Sequence, residues 1–191
     1  MATGDRDPTP ILTARLELRP FAPGDEDAML EVFGDAEALR FWGAPLDRDA
    51  VHDRIAHNRE REAQDGFARW AIVLRASGEL VGDAGLTLTD VDGVAEVELG
   101  WVVRSDHHGL GIASEAGSAW LGHAFGDLGL ERIVSMVRPE NVASRRVAEK
   151  LGMRVEREAS WNDAPHLMYV LAGTADAGMP ASYGSRVRFP Q

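Results

Sequence analysis

A short glycine turn, Gly109-Leu110-Gly111, constrains this chain more than any other feature. It follows the β-branched pair Val102-Val103 and opens a helical pattern. Glycines lack a Cβ atom, so they let the backbone approach a ligand closely and adopt positive φ at little cost. The first N–H groups of a helix have no partner within it, and together with the helix dipole they favour a phosphate-type anion. The sequence therefore predicts a strand, a tight turn and a helix whose start binds an anion. The alternative is a turn without a ligand.

Two well-known phosphate loops do not fit this turn. No Gly-Lys-Ser or Gly-Lys-Thr is present, so it is not a Walker A loop. The third glycine of the dinucleotide-binding G-x-G-x-x-G pattern is replaced by Ser114, and the preceding strand lies in the middle of the chain. A Rossmann first turn is therefore a poor interpretation.

The periodicity of apolar residues predicts a mixed α/β (α+β) domain built around one twisted sheet. Strands are predicted at 15–21, 68–76, 79–89, 94–104, 132–138, 153–159 and 166–172. Helices are predicted at 24–34, 47–63, 109–127 and 142–151. Asp47 and Asn141 are the predicted N-caps of the second and fourth helices. The pattern thus gives about seven strands and about four helices in a single domain.

The composition excludes several classes of protein. A net charge of −11 argues against a nucleic-acid-binding protein, which would normally present a basic face. No apolar run approaches the roughly 18 residues of a membrane helix, and the N-terminal residues lack the apolar segment of a secretory signal. The chain has no cysteine, which excludes disulfides, thiolate metal sites and a cysteine nucleophile. These features are those expected of a cytoplasmic protein.

Positive charge is concentrated in one segment. Residues 132–157 contain seven arginines and lysines and three glutamates. A local positive field of this kind suits an anionic cofactor. The alternative is a solvated helix face, on which Arg145 and Glu149 have the i,i+4 spacing of an ion pair.

Four motifs in a fixed order point to a particular family. They are E-V-E-L-G-W-V-V at 96–103, G-L-G-I-A-S-E-A at 109–116, N-V-A-S at 141–144 and E-K-L-G-M at 149–153. This order resembles the GNAT superfamily of acyl-CoA-dependent N-acetyltransferases. It is most similar to the RimJ/RimL-type branch, which acetylates ribosomal-protein alanine N-termini.

The resemblance covers residues 12–172 and implies one GNAT-like N-acetyltransferase domain with a mostly antiparallel sheet. Residues 1–11 are then an N-terminal extension, and residues 173–191 are a C-terminal tail. Dimers are common in this branch, so a homodimer is expected by analogy.

The resemblance also implies that acetyl-CoA is the co-substrate. In the family, the backbone of the strand before the loop binds the pantetheine arm, and the loop with the helix start binds the pyrophosphate. The residues expected to bind the cofactor are Trp101, Val102, Val103, His108, Gly109, Leu110, Gly111, Ile112, Ala113, Ser114, Asn141 and Arg146. One departure is Asp106, an acid near the expected pyrophosphate where the wider superfamily often has Gln or Arg. No metal is expected, because the adjacent histidines 107 and 108 have no third ligand nearby in sequence.

Glu98 matches the glutamate that often accepts the amine proton in the RimJ/RimL-type branch. Glu96 lies two residues away on the same face of the strand. Two carboxylates placed in this way can raise one pKa by repulsion and attract a cationic amine. The alternative is that one or both are ordinary exposed strand residues. Trp42 and Trp161, in loop-like stretches, are expected to line the substrate pocket together with Glu96.

The departing thiolate has a less obvious proton donor. Many family members use a tyrosine at the position of Ala148, so that tyrosine is absent here. In the RimJ/RimL-type branch a serine is assigned this role, and Ser144 matches it. Ser144 could equally be an ordinary N3 residue of its helix, and Tyr169 is a further candidate. Solvent could also supply the proton, because a thiol pKa of about 8.5 makes the thiolate a tolerable leaving group.

These residues predict direct transfer of an acetyl group to a primary amine, either a protein N-terminus or a small molecule. The absence of cysteine excludes a cysteine-linked acyl-enzyme. Two alternatives stay open. One is a non-catalytic acyl-CoA-binding sensor, which the missing tyrosine favours. The other is an acyltransferase for a larger group such as succinyl, which needs a cation near the acyl end, with Arg40 and Arg138 as candidates.

Overall fold

The computed structural model describes residues 8–173, which form one eight-stranded sheet with helices packed on both faces. The strands are β1 (Ile11–Leu12), β2 (Leu16–Arg19), β3 (Arg69–Leu74), β4 (Leu80–Val91), β5 (Val94–Val103), β6 (Arg132–Val137), β7 (Arg154–Trp161) and β8 (Ala164–Ala172). The helices are α1 (Glu26–Phe33), α2 (Arg48–Asp65), α3 (Ile112–Gly126) and α4 (Val142–Lys150), and a short 3₁₀ turn spans Ser105–His107.

The strand order is β1-β2-β3-β4-β5-β6-β8-β7, and all neighbours are antiparallel except β5 and β6. This confirms the predicted α/β class and the mostly antiparallel sheet. The described residues contain eight strands where the sequence predicted about seven. The added strand is β1, which pairs with Glu17 and Leu18 after the chain reverses near Thr13. Two residues are too few to show the alternation that identifies a strand in a sequence.

The parallel neighbours β5 and β6 are joined at a single position, where Glu98 lies opposite Val134. By contrast, β5 pairs with β4 along its whole length, and β6 pairs with β8 along its whole length. Held together at one point, β5 and β6 diverge towards their C-terminal ends. The segment from Leu99 to Val103 therefore has no strand partner on the side of β6.

Separate apolar clusters cover the two faces of the sheet. Helices α1 and α2 pack on one face through residues that include Met29, Phe33 and Ile55. Helices α3 and α4 pack on the other face, where Trp120 and Ala148 are fully buried. Because successive strand residues point to opposite faces, both clusters draw on the same strands. The core thus fixes α3 and α4 beside the diverging ends of β5 and β6.

Most of the predicted helix ends agree with the structure. Asp47 accepts a hydrogen bond from the N–H of Ala50 at 2.9 Å, and Asn141 accepts one from the N–H of Ser144 at 3.0 Å. Both residues are therefore N-caps, as predicted. Helix α3 begins at Ile112 rather than at 109, because the two loop glycines before it have left-handed backbone conformations.

The ends of the chain lie outside the described residues. The predicted N-terminal extension is represented only by residues 8–11, and the predicted tail only by Gly173. The domain boundaries at 12 and 172 therefore stay predictions, as does the homodimer. Within residues 8–173, no helix combines the length and the apolarity that crossing a membrane requires.

Candidate active site

The turn between β5 and α3 presents an open helix N-terminus. Gly109 and Gly111 have φ angles of +76° and +79°, a conformation that costs other L residues roughly 1–2 kcal/mol. The first helical bond runs from the N–H of Glu115 to the carbonyl of Gly111 at 3.0 Å, and no side chain among residues 8–173 caps the helix. The backbone N–H groups of residues 112–114 therefore have no partner within α3. This is the arrangement that binds phosphate groups at helix N-termini.

Hydrogen bonds from other parts of the protein hold this turn. Arg15 donates through Nη1 to the carbonyl of Leu110 at 2.9 Å and through Nε to the Glu115 carboxylate at 2.6 Å. At the other end, Nε2 of His108 lies 2.8 Å from the carbonyl of Val103, to which it donates its proton. Both ends of the turn are thus fixed by the protein itself.

The acid that precedes the turn is paired with its neighbours. Arg104 donates through Nε to Asp106 at 2.8 Å, and the ring of His107 lies 2.7 Å from the same carboxylate. The contact with Arg104 above all holds the pKa of Asp106 well below its ordinary value. Arg104, which also pairs with Glu31 and Glu79, therefore offsets in part the negative charge near the expected pyrophosphate.

A pocket of about 100 Å³ opens where β5 and β6 diverge. Both strands, the start of α4 and the hairpin between β7 and β8 contribute to its wall. Its lining residues are Phe41, Trp42, Glu98, Leu99, Gly100, Trp101, Ser135, Met136, Val137, Arg138, Asn141, Ser144, Trp161, Asn162 and His166. The two predicted catalytic residues and the two predicted pocket tryptophans therefore lie around one cavity.

Glu98 lines this pocket although it is only 3% exposed. Thr87 donates through Oγ1 to Oε2 of Glu98 at 3.1 Å. Burial raises the pKa of the Glu98 carboxyl above its ordinary value, and the Arg69 guanidinium, the Thr87 hydroxyl and a backbone N–H of β6 oppose this shift. A carboxylate with a raised pKa is a stronger base than a solvated one, which suits it to accept a proton from an amine.

The structure places Glu96 apart from the pocket that Glu98 lines. The Glu96 carboxylate accepts a hydrogen bond from Nε of Arg132 at 3.1 Å, and it does not line the pocket. The raised pKa of Glu98 comes from burial, and Glu96 is not among its causes. The physical reason is the position of the fork, the point at which β5 and β6 separate after Glu98 meets Val134. Glu96 lies before this point along β5, whereas the pocket opens after it.

A family model described as an acetyltransferase (GNAT) domain matches residues 15–154. The chain belongs to the GNAT acetyltransferase family. One similar GNAT protein is the uncharacterized N-acetyltransferase YnaD of Bacillus subtilis. It is 31% identical over 148 residues, which cover 76% of this chain and 83% of YnaD.

Solved GNAT structures share the fold. An acetyltransferase from Agrobacterium tumefaciens superposes with a TM-score of 0.76 at 29% identity, covering 90% of this chain and 98% of that one. RimJ of Mycobacterium smegmatis, solved with CoA-disulfide, superposes with a TM-score of 0.68 at 29% identity, covering 82% and 81% of the two chains. The protein is thus a GNAT N-acetyltransferase, and its fold implies acetyl-CoA as co-substrate. Family membership therefore does not support the alternative of a non-catalytic sensor.

The three candidate positions for a GNAT proton donor have different surroundings. Ser144 lines the pocket with Glu98 and is also the N3 residue whose N–H donates to the helix cap. Tyr169 is 1% exposed, donates its hydroxyl to Glu149 at 3.1 Å and does not line the pocket. Ala148, where many GNAT proteins have a tyrosine, is fully buried. Of the three, Ser144 alone belongs to the pocket.

The residues predicted to bind the cofactor are only partly brought together. Trp101 and Asn141 line the pocket, and Val102 and Val103 continue β5 with buried side chains. Residues 108–114 form the turn and the first turn of α3. These two groups meet at the C-terminal end of β5, where the edge that faces β6 is unpaired.

The side chains of two residues predicted to bind the cofactor lie away from the pocket. The Ile112 side chain packs in the apolar core, so only its backbone faces the turn. Arg146 is exposed on α4 and does not line the pocket. The position of Arg146 therefore does not support its predicted contact with the cofactor, which stays a prediction.

The hairpin between β7 and β8 supplies one wall of the pocket. Trp161 donates through Nε1 to Oγ1 of Thr89 at 2.8 Å, and the ring of His166 meets it edge-on at 5.2 Å. Nδ1 of His166 lies 2.9 Å from the carbonyl of Ala164 and must carry the proton, which leaves Nε2 as an acceptor. Burial lowers the pKa of His166, which favours the neutral ring.

Two charged residues buried next to the pocket are not among those predicted from the sequence. Arg69, the first residue of β3, and Asp83, in the apolar first half of β4, are 4% and 0% exposed. The available signal was a charge within an apolar run, L-V-G-D-A-G-L at 80–86. Charged residues are almost never fully buried unless paired, so such a position indicates a partner elsewhere in the fold.

Proposed function

We propose that this protein transfers an acetyl group from acetyl-CoA directly to a primary amine, with Glu98 as the proton acceptor. The observation that carries the proposal is a buried carboxylate with a raised pKa at the fork between β5 and β6. The pocket around Glu98 adjoins the free edge of β5, and β5 leads into the open N-terminus of α3. A proton acceptor, a strand edge and an anion site thus follow one another along the chain.

The residues present fit CoA. The N–H groups at the start of α3, which have no partner within that helix, suit a pyrophosphate, and the backbone of Leu99 to Val103 can hydrogen-bond the amide groups of a pantetheine arm. Asn141 and Ser144 line the pocket from the start of α4. When bound, acetyl-CoA supplies an acetyl thioester. The protein then has to orient the amine, remove its proton and protonate the thiolate.

Each protein group has one task in this transfer. Glu98 takes a proton from the ammonium, directly or through water, which frees the lone pair that forms the C–N bond as the C–S bond breaks. The acylated nitrogen then releases its second proton to solvent, and solvent also resupplies the proton that a donor gives to the sulfur. Ser144 lies in the same pocket and is the proposed donor of a proton to the departing sulfur. Trp42 and Trp161 supply aromatic walls, and aromatic faces attract a cationic amine. The acceptor is a protein N-terminus or a small-molecule amine.

The first experiment measures melting temperature with acetyl-CoA, CoA and buffer alone. At about 100 times Kd, ligand binding stabilises by roughly 2.7 kcal/mol, which corresponds to about 5–10 °C for a domain of this size. Thiol release from acetyl-CoA is then measured against panels of N-terminal peptides and small amines. The assay has no background from the protein, because the chain contains no cysteine. Absence of a melting shift with either CoA species would contradict the proposal.

A second candidate function rests on Arg138. This residue lines the pocket, and within residues 8–173 its buried Nε has no hydrogen-bond partner. A guanidinium with an unpartnered buried nitrogen there suits a carboxylate, as in a succinyl group. The other candidate cation, Arg40, is paired with Glu37 at 3.1 Å and does not line the pocket. Faster thiol release from succinyl-CoA than from acetyl-CoA, lost in Arg138→Gln, would establish this alternative.

A further inference from the structure

Three charged side chains from α2, β3 and β4 form a buried cluster. Arg69 donates through Nη2 to Oδ1 of Asp83 at 2.6 Å. Arg54 donates through Nη2 to the other oxygen, Oδ2, at 3.3 Å. Asp83 is fully buried, and its carboxylate accepts hydrogen bonds from both guanidinium groups.

The buried cluster has a net positive charge, because it contains two arginines and one aspartate. Two arginines share one aspartate, and burial of an unbalanced ion costs several kcal/mol. Arg69 also acts favourably on the ionised form of Glu98. A Cβ atom placed on Gly100 would lie 2.6 Å from Nη1 of Arg69 and 3.3 Å from Oε1 of Glu98. The missing side chain of Gly100 therefore leaves the room in which these two groups face each other.

The other groups that face Glu98 are few among the described residues. From β4, Thr87 donates a hydrogen bond to it, and β6 contributes a backbone N–H. From α2, Arg54 adds a weaker favourable interaction than Arg69 does. The remaining ionisable residues of the pocket wall are Arg138 and His166, and burial lowers the pKa of the latter. The excess charge of the buried cluster thus faces Glu98 most directly through Arg69.

We propose that Arg69, held by Asp83, is a positioning residue that keeps the buried Glu98 carboxylate ionised beside the acceptor pocket. This inference rests on the proposed function, in which Glu98 accepts the amine proton. Burial alone favours the neutral acid, which cannot accept a proton, whereas a fixed cation nearby favours the carboxylate. The ring of Trp42 lies 5.0 Å from Cζ of Arg69 and covers this cation.

The decisive test changes the charge of the cluster in both directions. Arg69→Gln removes the cation and should raise the midpoint of the acid limb of kcat/KM by about 1–2 pH units. Asp83→Asn removes the anion that offsets both arginines and should lower the same midpoint. A merely structural role would reduce activity at every pH without moving the midpoint in opposite directions.

The conservative and remote variants serve as controls. Arg69→Lys keeps the charge and should restore most of the midpoint that Arg69→Gln loses. Arg132→Gln removes an arginine that is paired with Glu96 and Glu156 and does not act on Glu98. Its midpoint should equal that of the unmodified protein. If Arg69→Gln does not fold, Arg54→Gln takes its place, since that side chain is 29% exposed, and a smaller rise is expected.

A second readout does not depend on activity. The carboxyl carbons of ¹³C-labelled glutamates are titrated by NMR, and the Glu98 signal is assigned by its loss in Glu98→Gln. Opposite movements in Arg69→Gln and Asp83→Asn support the inference. An unchanged Glu98 titration in the folded variants would overturn it. Full activity of Glu98→Gln would instead refute the proposed base, while the titration still decides whether the cluster sets the charge of Glu98.

Discussion

Glu98 and Val134 form the single paired position between β5 and β6, so a buried carboxylate lies at the fork of the sheet. Every other neighbouring pair of strands runs antiparallel, with a longer ladder. The proposed proton acceptor is therefore fixed by regular secondary structure rather than by a loop. A site built on strands holds its geometry more firmly than one built on loops.

The loop glycines allow a test with an internal control. Gly111→Ala places a Cβ on a backbone with φ of +79° and should cost about 1–2 kcal/mol of stability. It should also weaken acetyl-CoA binding, because the N–H groups of α3 would move. Gly122→Ala, in the same helix, adds a Cβ that meets nothing within 4 Å and should stabilise by about 0.5–1 kcal/mol. Melting curves with and without acetyl-CoA check both, and equal binding by the two variants would contradict the role of the turn.

The pair of Arg15 and Glu115 should matter more for binding than for stability. The Arg15 side chain is 51% exposed, so the pair contributes only about 0–1 kcal/mol to folding. Because it anchors the turn, Glu115→Gln should raise the KM for acetyl-CoA about two- to tenfold with little change in kcat. Arg48→Gln breaks another exposed pair, with Asp27, and should leave the KM unchanged. An unaltered KM in Glu115→Gln would show that the turn does not need this brace.

Ser144→Ala should have a small effect on acetyl transfer. The thiolate of CoA is a tolerable leaving group, because a thiol pKa is about 8.5, so solvent can replace a missing donor. We expect a loss in kcat of about tenfold or less in the thiol-release assay. Ser118→Ala, at an exposed position of α3, is the matched control and should be neutral. A loss of more than about 100-fold would contradict this minor role and make the serine an essential acid.

Local signals predicted the parts of the site that local conformation determines. The glycines of the turn, the N-caps Asp47 and Asn141, and the motif residue Glu98 are recognisable because each depends on nearby backbone or on a fixed motif order. The start of α3 was predicted less accurately. The sequence placed it at 109, but Gly109 and Gly111 have left-handed conformations and belong to the loop.

Contacts between distant segments could not be predicted in this way. Glu96 and Glu98 share a strand face, but only the divergence of β5 from β6 decides which of them meets the pocket. The pairing of Arg69 with Asp83 depends on the register of β3 against β4. Arg54 reaches Asp83 from α2, which packs on that face of the sheet. Their charges are visible in the sequence, but their partners are not.

The most direct test of the proposed function is the pH dependence of kcat/KM for CoA release by the unmodified protein and by Glu98→Gln. The base must be ionised, so activity should fall as the pH falls through the Glu98 pKa, which burial places above the ordinary glutamate value. Glu98→Gln should lose about 10²–10⁴-fold in kcat/KM together with this acid limb. Acetyl-CoA should still raise its melting temperature. A Glu98→Gln variant with the activity and the acid limb of the unmodified protein would contradict the role of Glu98 as proton acceptor.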